Sequence, residues 1–155
     1  MADIALMFVD ASFDLALDGL DLRRDDGLET AVFLSLFTNR RATRDQLPAE
    51  LRGGDLQGYW GDIAPFVEGD KFGSLLWLLA REKQTASTLA RAKQYARDAL
   101  QWFVDDRIAP RVDVATTYPA QAVMTITIDI YRPTIDPVRY RYDYEWAAQA
   151  AKRVA

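Results

Sequence analysis

The sequence of 155 residues contains no cysteine and no histidine. These two absences exclude disulfides, thiolate nucleophiles, imidazole acid–base catalysis and metal sites built on cysteine or histidine. No apolar run approaches the roughly 20 residues of a membrane-spanning helix. An acidic residue, Asp3, stands where a signal peptide carries positive charge. The chemistry left open is that of carboxylates, including metal binding through oxygen ligands alone.

The residues that are present are typical of a globular protein. Half of them are apolar, 12% are aromatic and 27% are charged, with 19 basic and 23 acidic side chains and a formal net charge of −4. This length fits one domain, which we expect to cover residues 1–155. The negative charge and the lack of a basic stripe argue against nucleic acid as a partner. We expect no membrane partner either.

A β-hairpin is predicted near the N-terminus at Asp18-Gly19, a dipeptide that tolerates the positive φ values of a tight turn. Folding the chain there sets Leu17 opposite Leu20. The other face pairs Asp14 with Arg23, an opposite-charge pair worth up to about 1 kcal/mol. The shared apolar face would consist of Phe13, Leu15, Leu17, Leu20 and Leu22.

A core helix is predicted directly after the hairpin. Asp26 and Glu29 have the spacing of a capping box, which marks a helix N-terminus. The helix should continue to about Thr38, and Asn39 can take the left-handed conformation that ends many helices.

Residues 42–73 differ in composition from the rest of the chain, because they hold six of the eight glycines. Structureless loops beyond about 15 residues are uncommon in compact domains and are usually functional or disordered. Aromatic side chains argue against disorder, so we expect an ordered, irregular segment wrapped over the domain or over a neighbour. The aromatic residues are Tyr59, Trp60, Phe66 and Phe72.

Two further helices are predicted after this segment. Residues 74–82, which include Trp77, are apolar nearly all round, as in a helix that is central or shared with a partner. A longer amphipathic helix should end near Asp105. There Asp105 and Asp106 would meet the negative end of the helix dipole, and Arg107 or a partner's cation would compensate.

The C-terminal part predicts strands. Residues 124–130 alternate strictly, with Ile126 and Ile128 on the apolar side, which indicates one buried face. A second alternating strand has tyrosines on one side and Arg139 and Arg141 on the other. We expect the tyrosines to face the core and the arginines to face outward.

Three further features of this part are also predicted. Tyr118-Pro119 marks a turn, Pro133 and Asp136-Pro137 break the chain, and the alanine-rich tail 145–154 favours a helix. The predicted fold is therefore α+β: an N-terminal β-hairpin, core helices and a C-terminal antiparallel sheet in a single domain.

The acidic residues between Asp10 and Glu29 are candidates for carboxylate catalysis, because glycosidases use two carboxylates about 5–9 Å apart. Each of them also has a local role in a turn, a cap or a cross-strand pair. Their spacing is not that of a calcium-binding EF-hand loop. We therefore expect no catalytic residue, metal or cofactor. A carboxylate-dependent peptidoglycan hydrolase, using these acids or Asp105 and Asp106, is the alternative function, and a small-molecule or metal-binding module is a third.

An ordered set of motifs runs along nearly the whole chain. They are Asp14-Leu15, Asp25-Asp26-Gly27-Leu28, Thr30-Ala31-Val32, Leu34-Ser35-Leu36-Phe37-Thr38, Arg40-Arg41-Ala42, Gly58-Tyr59-Trp60-Gly61-Asp62, Gly73-Ser74-Leu75-Leu76-Trp77-Leu78-Leu79 and Ala99-Leu100-Gln101-Trp102. Together they resemble the Mu-type phage tail protein family, whose members are small baseplate subunits of contractile tails. That family is similar to the small wedge protein of T-even phage baseplates.

The resemblance implies a structural protein of the virion tail, assembled in the host cytoplasm. It would sit in the baseplate wedge around the tail hub, contact larger wedge proteins and offer a β-surface to the first ring of tail sheath protein. T-even-type relatives carry a Glu-Pro-Arg motif after the long helix, and Arg107 alone corresponds to it here. Some such relatives are described as having lysozyme activity, which these residues do not support.

An assembly role also fits the residues themselves. The aromatic segment, the apolar helix and an exposed edge of the sheet suit burial against partners, although Trp60 and Trp77 fit a core equally well. The candidate interface residues are Tyr59, Trp60, Asp62, Trp77, Asp105, Asp106, Arg107, Ile126, Ile128, Arg139 and Arg141.

Overall fold

A computed structural model describes residues 3–9, 12–25, 27–65, 67–145 and 150–154. Short strand pairs come first, helices occupy the middle, and an antiparallel sheet follows, so the predicted α+β class is confirmed. No helix among these residues is long and apolar enough to cross a membrane. The strands are β1 Asp3–Ile4, β2 Leu6–Val9, β3 Ser12–Leu15, β4 Leu17–Asp18, β5 Asp21–Leu22, β6 Arg24–Asp25, β7 Arg111–Ala120, β8 Val123–Arg132, β9 Ile135–Glu145 and β10 Ala150–Arg153. The helices are α1 Glu29–Phe37, α2 Ala86–Leu100 and α3 Trp102–Asp105.

Residues 3–9 and 12–25 form three short antiparallel strand pairs that meet at one junction. β1 pairs with β6, β2 with β3, and β4 with β5. At the junction, the N–H of Ala5 donates to the carbonyl of Arg23, that of Arg23 to Ala16, and that of Ala16 to Ala5, at 2.8–2.9 Å. Because of this closed ring of main-chain hydrogen bonds, each of the three chain segments pairs with one segment before the junction and with the other segment after it.

The predicted hairpin exists, but its register is wrong. The two-residue loop is Gly19-Leu20, so Leu17 lies opposite Leu22 instead of Leu20. Gly19 has a φ of +65° and occupies the first central position of the turn, where glycine has no steric cost. Glycine thus fixes the turn one residue later than Asp18-Gly19.

The predicted pairing further from this turn is wrong as well. Asp14 lies opposite Met7 and not opposite Arg23, because β3 pairs with β2. Only β4, on the other side of the junction, pairs with β5. The predicted apolar face is not buried: Leu17 is 68% exposed and Leu20 is fully exposed.

Helix α1 begins with a carboxylate cap, supplied by Asp25. Its Oδ1 accepts the N–H of Gly27 at 2.9 Å and its Oδ2 accepts the N–H of Thr30 at 2.8 Å. This satisfies an amide of the first turn and places negative charge at the positive end of the helix. The capping box predicted for Asp26 lies outside the described residues.

The end of α1 at Phe37 matches the prediction, but Asn39 is not left-handed. The chain continues in an extended conformation because Ser74 pairs with it. The N–H of Ser74 donates to the carbonyl of Thr38, and the N–H of Arg40 donates to the carbonyl of Ser74, each at 2.9 Å. A Cβ at Gly73 would collide with the carbonyl oxygen of Thr38, so this approach requires glycine.

The irregular character of residues 42–73 is confirmed. The segment contains short 3-10 turns at Arg44–Gln46, Ala49–Leu51 and Trp60–Ile63 and no strand among its described residues. A second, smaller apolar cluster fixes it to the body of the protein. The buried members of that cluster are Ala42, Leu47 and Leu78.

The predicted helix over residues 74–82 is a single 3-10 turn, Leu76–Leu79. The long amphipathic helix is confirmed as α2 and α3, which meet at Gln101. The hydroxyl of Thr85 caps α2 by accepting the N–H of Thr88 at 3.1 Å.

The C-terminal sheet has the strand order β10-β9-β8-β7, antiparallel throughout. Residues 118 and 119 lie inside β7, so the predicted turn there is wrong, and the loop is Gln121-Ala122. Pro119 is tolerated because it lies on an edge strand at a register shift. Asp136-Pro137 does not break the chain either, since both residues lie in β9.

The helix predicted over residues 145–154 is wrong where the structure describes that stretch, and residues 146–149 lie outside the described part. Residues 150–153 form β10 and pair with 142–145 of β9, and the N–H of Val154 donates to the carbonyl of Arg141 at 2.8 Å. Helix propensity of alanine is a weak preference, and an open sheet edge that offers main-chain hydrogen bonds overrides it.

The main core lies between this sheet and the helices. Ile126 faces Tyr142 across β8 and β9, and both are fully buried. The tyrosines face inward as predicted. The helices contribute Val32, Leu36, Leu100 and Phe103.

Candidate functional site

The aromatic loop, residues 58–72, presents an exposed apolar surface. The ring of Tyr59 lies 5.2 Å from that of Phe72 and 5.4 Å from that of Trp60. It also covers Gly61 so closely that a Cβ there would collide with it. Trp60 itself is 78% exposed. The packed Tyr59 ring therefore holds the loop in a shape that turns Trp60 outward.

Two aliphatic residues of the same loop, which sequence reasoning missed, are also exposed. Ile63 is 88% exposed and Val67 is 66% exposed. The sequence does contain a signal for their exposure, because these large aliphatic residues lie between Gly58 and Gly69, in a loop where polar residues are expected. Large apolar side chains exposed together commonly mark an interaction surface.

Asp62 connects the two ends of the aromatic loop. Its Oδ1 accepts the N–H of Phe72 at 3.1 Å. Its Oδ2 is buried and has no hydrogen-bond partner among the described residues. Asp62 thus stabilises the shape of the loop through its hydrogen bond to Phe72.

Trp77 packs against the smaller apolar cluster. It is half-buried, and its Nε1–H donates to the carbonyl of Arg40 at 2.9 Å. Of the two tryptophans that the sequence left undecided, Trp60 is a surface residue, whereas Trp77 is half-buried and packs against buried residues of the smaller cluster.

The end of α3 exposes Asp105, Asp106 and Arg107. Arg107 has a φ of +59°, in the left-handed region. Its N–H donates to the carbonyl of Val104 at 3.0 Å, and that of Ile108 donates to Phe103 at 2.9 Å. These two bonds form a Schellman motif, whose left-handed position is usually glycine.

A cleft of about 470 Å³ adjoins this helix end. Asp98, Asp105 and Asp106 contribute to its lining, together with Arg40 and Lys71. Asp105 accepts a hydrogen bond from the side chain of Gln101 at 3.0 Å. The mixed charges suit a polar contact with a protein.

The sheet divides the remaining candidates between its two faces. Ile126 and Ile128 have no exposed surface, so the folded chain offers neither to a partner. Arg139 and Arg141 are exposed on the opposite face. Arg139 forms a two-pronged ion pair with Asp129, at 2.6 and 3.1 Å. That hydrogen bonding raises the pKa of Arg139.

Three of the acidic residues near the N-terminus have local hydrogen-bond partners. Asp25 caps α1, and Asp14 and Asp21 each accept the N–H of the next residue at 2.8 Å. No group of three acidic side chains within the described part of the chain is arranged to hold a metal ion.

Comparison with known proteins agrees with the motif resemblance. The model of the family described as Phage protein GP46 matches residues 28–136. The baseplate protein gp46 of Escherichia phage Mu is 36% identical over 143 residues, which is 92% of this chain and 95% of that protein. The Mu-like prophage FluMu protein gp46 of Haemophilus influenzae is 33% identical over 147 residues, which is 95% of this chain and 99% of that protein. The chain therefore belongs to the Phage protein GP46 family.

Proposed function

We propose that this chain is a non-enzymatic structural subunit of a contractile phage-tail baseplate, in the wedge around the tail hub. Similarity over nearly the full length to a protein named as a Mu baseplate protein supports this role. The chain would join the wedge in the host cytoplasm and remain in the tail of the virion. Its partners would be larger wedge proteins and the first ring of sheath protein.

The observation that carries the proposal is the outward-facing Trp60. Tryptophan is among the residues that contribute most to protein–protein binding when a partner covers them. The packed ring of Tyr59 holds the loop before binding, which reduces the entropy lost on association. Trp60, Ile63 and Val67 would form the apolar centre of a contact with a wedge protein.

The helix end is proposed as a polar contact beside this centre. Arg107 carries its guanidinium on a left-handed residue, where glycine would be more stable. An exposed guanidinium can bind a partner's carboxylate through two parallel hydrogen bonds. Asp105 and Asp106 would accept hydrogen bonds from partner cations.

The sheath contact is proposed at the edge formed by β7. This strand is ten residues long and pairs with β8 on one side only within the described sheet. A partner strand can add to such an edge through main-chain hydrogen bonds, with alternate side chains giving specificity. Exposed Arg111 and Asp113 would then lie beside the added strand.

Complementation of a phage that lacks this gene tests the proposal. Tails purified after supply of the wild-type chain should contain it at the baseplate, by mass spectrometry and electron microscopy. Trp60→Ala should stay folded but reduce that incorporation at least about tenfold. Ile135→Ala is the matched control, since Ile135 is also exposed, at 55%, but lies in the sheet. Tails that are complete without the chain would contradict the proposal.

A turbidity assay on purified cell walls tests the non-enzymatic part separately. We expect no clearing at high protein concentration. Clearing that is abolished by Asp105→Asn or Asp106→Asn would instead support the peptidoglycan hydrolase.

A further inference from the structure

The hairpin β4–β5 projects leucines into solvent. Leu17 is 68% exposed, and Leu20, in the turn, is fully exposed. Leu15 and Leu22 are 46% and 37% exposed. We call these four residues the leucine tip. Strand alternation places Leu15 and Leu17 on one face, and Leu22 lies opposite Leu17.

The leucine tip is connected to the body of the protein by ordered contacts. Leu6, which lies opposite Leu15, packs against the main core. The hydroxyl of Thr30 in α1 donates to the carbonyl of Ile4 at 2.9 Å. The ring of main-chain hydrogen bonds through Ala5, Ala16 and Arg23 holds the three strand pairs together. The leucines are therefore presented on a preorganised support, which lowers the entropic cost of binding.

The charged residues nearest the turn of the hairpin are acidic, whereas the exposed Arg23 and Arg24 follow Leu22 and lie further from the turn. Residues 1–22 contain five aspartates and neither lysine nor arginine. Asp18 and Asp21 lie directly opposite each other in the hairpin, and both are exposed. Like charges in that position destabilise a strand pair. No salt bridge within the described part of the chain involves Asp14, Asp18 or Asp21.

An apolar tip bordered at its turn by exposed carboxylates that form no salt bridge with any described residue fits an apolar pocket bordered by cations. We propose that the leucine tip inserts into such a pocket, lined at its rim by lysine and arginine, on a different protein of the same baseplate. Leu20 would fill the pocket, and Asp18 and Asp21 would pair with the rim. Anionic lipid surfaces and nucleic acids would be repelled by the same aspartates. This inference rests on the proposed baseplate role and concerns residues that precede the stretch matched by the family model.

The first test uses the complemented phage with a double variant, Leu17→Ser/Leu20→Ser. Both side chains are largely exposed, so the melting temperature should stay within about 2 °C of wild type. Incorporation of the chain into purified tails should fall at least about tenfold. Ile135→Ser is the matched control and should be incorporated like wild type.

Reversal of the charges tests the chemistry of the rim. Asp18→Lys/Asp21→Lys removes the repulsion inside the hairpin, so the isolated chain should be at least as stable as wild type. Incorporation into tails should nevertheless fall at least about tenfold, because lysine would meet the cationic rim. Incorporation equal to wild type would overturn the cationic rim.

A photo-crosslinking amino acid, p-benzoylphenylalanine, at position 20 identifies the occupant directly. In tails we expect a crosslink to one different polypeptide, at a site with lysine or arginine nearby, and none from position 135 to that site. Crosslinking to a second copy of this chain, or none in tails that contain the labelled chain, overturns the inference alone. Absence of the wild-type chain from tails contradicts the proposed function, and with it this inference.

Discussion

At Arg107, a left-handed backbone is combined with a long, charged side chain. A residue with a Cβ loses roughly 1–2 kcal/mol in this conformation relative to the right-handed one. The Schellman hydrogen bonds of Val104 and Phe103 enforce it at the end of α3. Strain of this kind is often found where the side chain has a function.

Arg107→Gly should therefore raise the free energy of unfolding by about 0.5–1 kcal/mol. Relief of the strain stabilises the folded chain, and the greater flexibility of glycine in the unfolded chain offsets only part of that gain. Urea unfolding followed by circular dichroism measures this change. Arg107→Ala removes the same charge but keeps the strained Cβ, so it should bring no gain. Equal stability of the two variants would contradict strain at this position.

Tyr144 links stability to alkaline pH. It is 8% exposed and its ring stacks on that of Phe37. Burial raises the pKa of Tyr144 above its ordinary value of 10.0. Above pH 10 the unfolded chain loses this proton while the folded chain keeps it. The stabilisation is therefore complete below pH 10 and is lost as the pH rises towards the folded-state pKa.

Tyr144→Phe should accordingly show a smaller loss of unfolding free energy between pH 9 and 11 than the wild type does. Urea titrations at several pH values measure both curves. Between pH 7 and 9 the two curves should run parallel, which serves as the internal control. A difference between the two curves that grows below pH 9 would contradict the assignment to this tyrosine. So would a loss of unfolding free energy above pH 9 that is the same in Tyr144→Phe as in the wild type.

The two tryptophans illustrate what element-level reasoning could and could not provide. The sequence predicted an ordered segment around Trp60 and an apolar element around Trp77, and both exist. It could not assign one tryptophan to the surface and the other to a core. That assignment depends on the Tyr59 ring folding back over Gly61 and on the carbonyl of Arg40, which is distant in sequence, accepting the indole N–H of Trp77, and no residue pattern encodes either contact.

The assignment predicts that replacing the two tryptophans lowers the free energy of unfolding by different amounts. Trp77→Ala should lower the free energy of unfolding by about 2–4 kcal/mol through lost packing and an unpaired carbonyl. Trp60→Ala should lower it by less than about 1 kcal/mol. Trp77→Phe, which keeps an apolar ring but loses the hydrogen bond, should fall between them. Urea unfolding followed by far-ultraviolet circular dichroism avoids the altered fluorescence. A cost at position 60 equal to that at 77 would contradict the surface role.

The hairpin near the N-terminus shows why an element can be predicted with the wrong partners. The turn signal at Gly19 was correct to within one residue. The pairing beyond it assumed that two strands stay together along their length. In the fold, Ala5, Ala16 and Arg23 form a junction where partners are exchanged, and no local pattern in the sequence encodes that exchange.

Across the whole molecule, acidic charge coincides with the two exposed apolar surfaces. Residues 1–22 and 53–70 together contain nine of the 23 acidic residues and none of the 19 basic ones. This distribution could be read from the sequence, whereas the exposure of Leu20 and Ile63 could not. Partner surfaces that carry cations around apolar pockets would match both regions.

The C-terminal strand determines how many open edges the described four-stranded sheet has. β10 covers the outer edge of β9 over residues 142–145, whereas β7 leaves its own outer edge unpaired within the described sheet. Exposed strand edges template pairing with other chains. In a chain that ends at Glu145, this sheet would therefore have two open edges, one of them beside the buried Tyr142 and Tyr144.

Truncation after Glu145 should lower the free energy of unfolding by about 1–3 kcal/mol, because the main-chain hydrogen bonds of β10 are lost. It should also cause dimers or larger assemblies at micromolar concentration, measured by size-exclusion chromatography with light scattering. Lys152→Ala/Arg153→Ala is the control: it keeps the main-chain bonds and should behave as wild type. A truncated chain that stays monomeric and equally stable would contradict this role for β10. Association on truncation would mean that β10 closes one edge and leaves β7 for the proposed sheath strand.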